Sequence, residues 1–298
     1  MVVMDLVFIG LAVLINLAVT VVGSIRYKIV LHDLGSSISL AGSFLVMNAA
    51  QFSSYITPMR IGGIISKPHA SKIIAGVKAR VALFATLIEQ AFDLSWQIIL
   101  LPFLLILIGN KSMGLNLQVV ILILFLLTAL GAFLKRRMII SILFRFSRFL
   151  PGFVKRHAKG RKLTKKRILR LVGKTSSYLN VRMVLKLAIP TIITMIVAPF
   201  SLMFVARSVL VTITFGTAFV SILSSTIIGR LSGVPGGFGV REVSLAGFLI
   251  FFGIDPILAA EIAVLNRVAS ALVVVVFGAP ALAYVVKNIK RAGGIPGL

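Results

Sequence analysis

Apolar runs of about 20 residues recur along this chain from end to end, and few chains so built can fold in water. Each run is long enough to cross a hydrocarbon core of ~30 Å as a helix. They fall at Leu6–Ser24, Ile38–Thr57, Val81–Ile108, Leu115–Leu134, Val184–Ala206, Val209–Ile228, Val240–Gly253 and Ile257–Val286. The reading is all-α: a polytopic membrane bundle of about eight helices and one integral domain over residues 1–298. Val240–Gly253 is too short to span comfortably, and the last run is long enough to tilt. Short or Pro/Gly-interrupted segments are the usual mark of broken helices in transporters, so the two Pro/Gly loops are candidates for re-entrant turns. The first run has no basic segment before it and no small-residue cleavage site, so it reads as a retained span.

Charge sets the expected orientation. The chain carries 32 Lys and Arg against 7 Asp and Glu. In a soluble protein such an excess would suggest nucleic acid. Here it fits cytoplasmic loops rich in bases. Seventeen bases lie between Lys135 and Lys186, five between Arg60 and Arg80, and three more at Lys287, Lys290 and Arg291. Eight crossings with both termini in the cytoplasm put all three groups on one side of a cell membrane. The central segment, 135–183, should attract anionic headgroups at ~1 kcal/mol per base near the surface. No stacking aromatics interleave its densest run, Lys155–Arg170, so nucleic acid is not expected. There is no Cys, and His32, His69 and His157 are scattered, so neither a metal nor a cofactor site is expected.

Several features could carry chemistry. Thr57-Pro58-Met59-Arg60-Ile61-Gly62-Gly63 should break the chain after the second run. Ser232 to Glu242 holds four glycines and Pro235, and precedes the short seventh run. Such a loop can present backbone amides to an anion at a helix N-terminus, with Arg241 adding a charged contact. The plainer reading is a tight turn in which Arg241 and Glu242 pair. Glu89 and Asp93 are four apart on one helix face, Glu89 ~12 Å into its run. Arg267 lies ~15 Å into the last run, near the midplane. Charges at such depths are costly and mark function by default. The expected partner of Arg267 is Glu89 or Asp93. Asn48, Gln51 and Tyr55 form one polar stripe, and Thr217, Ser221 and Ser224 another. These either bond neighbouring helices or line a cavity. Each stripe leads to a Pro/Gly loop and then to an intramembrane charge, which suggests an internal repeat. A four-helix offset with eight crossings would make its halves parallel.

The run Pro235-Gly-Gly-Phe-Gly-Val-Arg-Glu242 resembles the signature of the lysylphosphatidylglycerol synthase transmembrane-region family, also called flippase-like integral membrane proteins. Pro58–Gly62 and the Glu89/Asp93 helix are similar to two further parts of its pattern. Three positions depart from it: Gly63 where an acid is frequent, Lys67 where Arg is usual, and Glu89-Gln90 in place of Glu-Arg. Arg is a planar fork and Lys a point charge, so headgroup specificity should differ. The soluble aminoacyl-transferase domain of full synthases is not in this sequence, and the resemblance does not extend to synthase activity.

The resemblance implies a lipid-handling domain that is not an enzyme, with flipping of a polar or charged lipid the leading expectation. The expected substrate-binding residues are Arg60, Glu89, Asp93, Pro235, Gly236, Gly237, Arg241, Glu242 and Arg267, with Glu89, Asp93 and Arg267 as a switchable pair. Membrane lipids are the expected partners, with a second copy or a biosynthetic enzyme as further candidates. An ion-coupled small-solute transporter is the alternative, and an intramembrane enzyme a third. No nucleotide-binding motif is present.

Overall fold

The computed structural model describes residues 5–57, 61–90, 92–93, 96 and 181–291. Arg60, the run Leu115–Leu134, the basic segment 135–183 except for its last residues, and most of Val81–Ile108 lie outside them. The chain divides into two compact units, Met1–Gln97 with Leu185–Asn288, and Ile98–Val184 with Ile289–Leu298. Nearly all described residues belong to the first.

The first unit is a membrane bundle in which every described element is helical: α1 (Leu6–Asp33), α2 (Leu40–Ile56), α3 (Ile61–Ala75), α4 (79–90), α5 (Val181–Ser208), α6 (Phe215–Leu231), α7 (Val240–Phe251), α8 (Pro256–Val273) and α9 (Ala279–Arg291). Three stretches among the described residues are long and apolar enough to cross a membrane: Leu6–Asp33, Leu185–Ser208 and Pro256–Asn288.

α1 starts where the Asp5 side chain accepts from Val7 N, 2.9 Å. It runs 28 residues, ~42 Å at 1.5 Å per residue. It therefore continues nine residues beyond the expected end at Ser24. Nothing between Ser24 and Asp33 breaks a helix, so Arg26 and Lys28 are helical residues and not a loop. α5 also has 28 residues, in spite of Pro190 and Pro199. The two run antiparallel, tied along their length. Asp5 N donates to Ser208 O (3.0 Å), Asn16 Nδ2 to Ser201 Oγ (2.7 Å), Arg26 Nη1 to Thr191 Oγ1 (3.2 Å) and Lys186 Nζ to Asp33 Oδ1 (2.7 Å).

After each of these helices the backbone makes the same turn. Ser36 N donates to Leu31 O and Gly35 N to His32 O, as Val211 N does to Ala206 O and Leu210 N to Arg207 O. Gly35 (φ 74°) and Leu210 (φ 62°) are left-handed at the same place in each turn. A hydroxyl cap follows: Ser39 accepts from Gly42 N and Thr214 from Thr217 N. α2 and α6 then have 17 residues each. Left-handed glycines Gly76 and Gly253 close α3 and α7. The chain is thus an internal repeat. Because α1 and α5 are antiparallel its halves are inverted, not parallel as the count of crossings had implied.

The short helices explain the discrepancy. α2, α3, α6 and α7 have 17, 15, 17 and 12 residues, ~18–26 Å long and short of a ~30 Å core. α2 packs on α3 and α6 on α7, so each pair is a helical hairpin with arms short for a crossing. The expected base-rich loop Arg60–Arg80 is mostly α3. Gly62 and Gly63 allow that packing: a Cβ on Gly62 would lie 2.5 Å from Ser53 O. The expected span Val209–Ile228 begins only at Phe215, after the turn. The hairpins enter from opposite ends of the α1–α5 pair and meet tip to tip, where the Tyr55 ring lies edge-on to Phe238 with centroids 5.9 Å apart.

α8 is capped by Asp255, whose Oδ1 accepts from Ile257 N (2.9 Å) and Leu258 N (3.2 Å). It passes through a π-turn, Val274–Gly278, into α9. There α2 approaches so closely that a Cβ on Gly278 would lie 2.6 Å from Asn48 O. An apolar core from α1, α5, α7 and α8, centred on Ala12, Leu202, Leu245, Leu249 and Ile262, holds the second hairpin in place.

Candidate functional site

Two charged centres lie in the first unit. The first joins α1, α3, α4 and α5. Arg26 forks onto Asp93, Nη1 to Oδ1 at 2.6 Å and Nη2 to Oδ2 at 3.2 Å, and its Nε donates to Glu89 Oε1 at 3.4 Å. Lys67 Nζ donates to the other oxygen, Glu89 Oε2. The ammonium sits 3.9 Å from the centroid of the Tyr27 ring, whose hydroxyl is 2.7 Å from Ser71 Oγ. Glu89 is 2% exposed and Lys67 6%. Two cations face two carboxylates, so the centre is neutral, as burial requires.

The second centre sits where the hairpin tips meet α8. Arg267, 8% exposed, is stacked between two rings: its guanidinium carbon is 4.6 Å from the Tyr55 centroid and 4.2 Å from that of Phe238. Nη2 donates to Gly236 O at 2.8 Å. Nε lies 3.1 Å from Glu242 Oε1, an ion pair too poorly angled for a hydrogen bond. Beside it is a pocket of about 50 Å³ whose lining includes Arg230, Arg241, Arg267, Tyr55 and Thr226. Glycines shape this wall. Gly236 (φ 59°) and Gly237 (φ 69°) take left-handed turns, and a Cβ on Gly237 would lie 3.0 Å from Gly229 O.

The expected pairing of Arg267 with Glu89 or Asp93 is therefore wrong. Arg26 and Lys67 hold the two acids, and Arg267 holds Glu242. The switchable pair across the groove falls with it, and Glu242 has Arg267 beside it. Backbone amides of the glycine loop are also less available than expected, since Gly237 N donates to Val234 O and Phe238 N to Pro235 O within the turn. The structure does bring Pro235, Gly236, Gly237, Arg241, Glu242 and Arg267 together. It places Glu89 and Asp93 in the other centre, and Arg60 lies outside the described residues. Of the polar stripes, Tyr55 reaches the pocket, whereas Asn48 Nδ2 turns back to Phe44 O. Arg26 and Arg230 were missed, and Lys67 and Phe238, though noted in the family pattern, were not counted among the binding residues. Arg230 lies in the last turn of α6, one helix turn before the glycine loop, and that nearness was the available signal.

The arrangement offers an anion a concave, guanidinium-lined wall between two hairpin tips. Bound charge there is screened little by water.

Comparison with known proteins agrees with a membrane protein. A UPF0104 membrane protein of Methanothermobacter thermautotrophicus is 27% identical over 285 residues, covering 92% of this chain and 82% of that protein. No solved structure matches. The model of the lysylphosphatidylglycerol synthase transmembrane region matches residues 3–278, and the chain belongs to that family.

Proposed function

We propose that this membrane protein moves a lipid across the bilayer by its polar or charged headgroup, without changing the lipid chemically. The observation that carries the reading is the tip-to-tip meeting of two inverted hairpins around the Arg230–Arg241–Arg267 pocket. Hairpins that each cross only part of the bilayer leave a short polar path between them. Inverted repeats commonly put a substrate site at their interface and alternate its access by moving one half against the other. The Phe238 side chain, half exposed at the tip, offers an apolar surface beside the charged pocket. That pairing suits an amphiphile better than a free ion.

The test is lipid movement in proteoliposomes, read by quenching of a headgroup-labelled phospholipid from outside. The wild-type chain is expected to expose the inner-leaflet label. The charge-balanced double variant Glu242→Gln/Arg267→Gln is expected to slow this at least ~10-fold, the factor for one ~1.4 kcal/mol interaction. Movement no faster than in protein-free vesicles, across anionic, zwitterionic and cationic lipids, sinks the reading. Gradient-driven uptake of a water-soluble solute without lipid movement would establish the transporter instead.

A further inference from the structure

The described charges of the first unit gather at one of its two ends. That end is formed where α1 turns into α2 at 34–39 and α3 into α4 at 76–78. α3 returns there along α2, since a Cβ on Gly42 would lie 3.5 Å from Ile74 Cγ2. Lys186 is brought to the same end by its bond to Asp33. The last span arrives there as well. Gly278 passes α2 at the level of Asn48, ~12 Å along α2 from its start at Leu40. The stretch from Gly278 to Lys287 then covers ~13.5 Å. This end therefore carries Lys28, Lys72, Lys78, Arg80, Lys186 and Lys287 against the single carboxylate of Asp33. All of these bases except the half-buried Lys186 are exposed.

The opposite end is formed by the turns 209–214 and 252–255 and by Asp5, whose amide donates to Ser208 O. Val209, Ile213, Leu249 and Ala259 share its apolar core with Ala12. Among the described bases it has Arg207 alone, and its acids Asp5 and Asp255 cap helices. The chain's seven carboxylates all lie among the described residues. The rest of the chain can add bases to either end but no acid.

Lys and Arg close to helix ends collect on the cytoplasmic side of a membrane, and acids count for little in that bias. We propose that the basic end is cytoplasmic and docks on the anionic phospholipid headgroups of that leaflet. The chain then enters α1 from outside and reaches Lys287 inside, which reverses the expected side of Asp5. The arms of the α2–α3 hairpin begin and end on the cytoplasmic side. Those of the α6–α7 hairpin, with Phe238 and Glu242, begin and end on the outer side. Charge names the occupant: exposed Lys and Arg at the ends of spanning helices lie at headgroup height, and the anionic leaflet is the cytoplasmic one. None of this depends on whether the protein moves a lipid.

The chain has no cysteine, so single cysteines report each end separately. Ser37 and Thr212 are exposed in the turns before α2 and α6. Cells expressing the full chain with Ser37→Cys or Thr212→Cys are treated with a membrane-impermeant maleimide, and labelling is normalised to that in detergent. Thr212→Cys is expected to label in intact cells and Ser37→Cys only after permeabilisation. The reverse order, equal labelling of both in intact cells, or protection of both overturns the orientation. For the docking, a fluorophore on the same cysteines is quenched in proteoliposomes by spin-labelled phosphatidylglycerol or phosphatidylcholine. At residue 37 phosphatidylglycerol should quench at concentrations ~5-fold lower, about the factor for one base at an anionic surface. The label at residue 212 should show no preference. The fourfold variant Lys28→Gln/Lys72→Gln/Lys78→Gln/Arg80→Gln should lose the preference at residue 37, with unchanged quenching by phosphatidylcholine as the control for folding. Equal quenching by the two lipids at residue 37, the same preference at residue 212, or a preference that survives the four substitutions overturns the docking. Neither measurement reads lipid movement, so their failure is distinct from failure of the lipid-moving reading.

Discussion

Replacing Glu89 by glutamine keeps the length of the side chain and removes the one carboxylate that holds both Lys67 and Arg26. Arg26 retains its fork on Asp93 at 2.6 and 3.2 Å, so most of the loss falls on Lys67. Lys67 is 6% exposed, and Glu89 is its carboxylate partner in the described structure. Removing one member of a buried pair typically costs ~3–5 kcal/mol. Lys67→Met should cost ~3 kcal/mol, since it frees Glu89 to face Arg26 alone at 3.4 Å. The double variant Lys67→Met/Glu89→Gln restores neutrality, because Arg26 and Asp93 still balance. A methionine sulfur can also take the place of the ammonium over the Tyr27 ring. The double should therefore recover at least ~2 kcal/mol relative to the worse single variant, within the range seen for coupled neighbours. The assay is equilibrium unfolding in mixed detergent micelles, followed by loss of helicity, for wild type, both singles and the double. Additive costs in the double would refute the reasoning, because Lys67 and Glu89 would then be stabilised independently of each other.

Gly62→Ala should spread the α2–α3 hairpin at a cost of ~1–3 kcal/mol, because its Cβ would meet Ser53 O at 2.5 Å. Gly247→Ala, with nothing within 4 Å, should be tolerated or gain up to ~1 kcal/mol, and unfolding of the two variants side by side checks both. Leu210 is 78% exposed and left-handed at φ 62°, so Leu210→Gly should stabilise by ~1 kcal/mol and Gly35→Leu should cost about as much, measured the same way. Tyr55→Leu removes one of the two rings facing Arg267 and should weaken anionic lipid binding by ~0.5–2 kcal/mol, measured with the full chain in lipid nanodiscs.

What the sequence revealed depended on whether a residue's environment is set locally. The glycine run at Ser232–Glu242 was legible because left-handed turns at Gly233, Gly236, Gly237 and Gly239 call for glycine whatever surrounds them. Twelve residues cannot span a core, so the short α7 was legible as well. Glu89 and Asp93 stood out by depth alone. Partners were a different matter. Arg267 was matched to acids in long apolar runs, and Glu242 looked like a loop residue until α7 folded back beside α8. Arg26 fell beyond the expected helix end at Ser24 and Lys67 within the base-rich segment Arg60–Arg80, yet α1 and α3 carry both helically. The direction of the repeat was lost for a related reason. Parallel or inverted turns on how many helices cross fully, and apolar periodicity does not separate a crossing from a hairpin arm.

The two halves share a backbone and differ in where their counter-charges come from. At an offset of 177 residues, Pro58 corresponds to Pro235, Gly76 to Gly253 and Gln90 to Arg267. In the first half the cations Arg26 and Lys67 meet carboxylates one helix away, on α4, and the centre is closed. In the second half the position of Gln90 becomes a buried arginine, Ser244 stands at the place of Lys67, and Glu242 faces Arg267. The first half is thereby held by ion pairs that cost several kcal/mol to separate. In the second half, the tip of α6 and α7 meets α8 through a carbonyl hydrogen bond, a misaligned ion pair and a ring contact, above the apolar core that the hairpin shares with α8. On the lipid-moving reading proposed above, a charged headgroup entering beside Arg267 competes with Glu242 for the same guanidinium and loosens the second hairpin, while the fixed pairs of the first half leave a surface to move against.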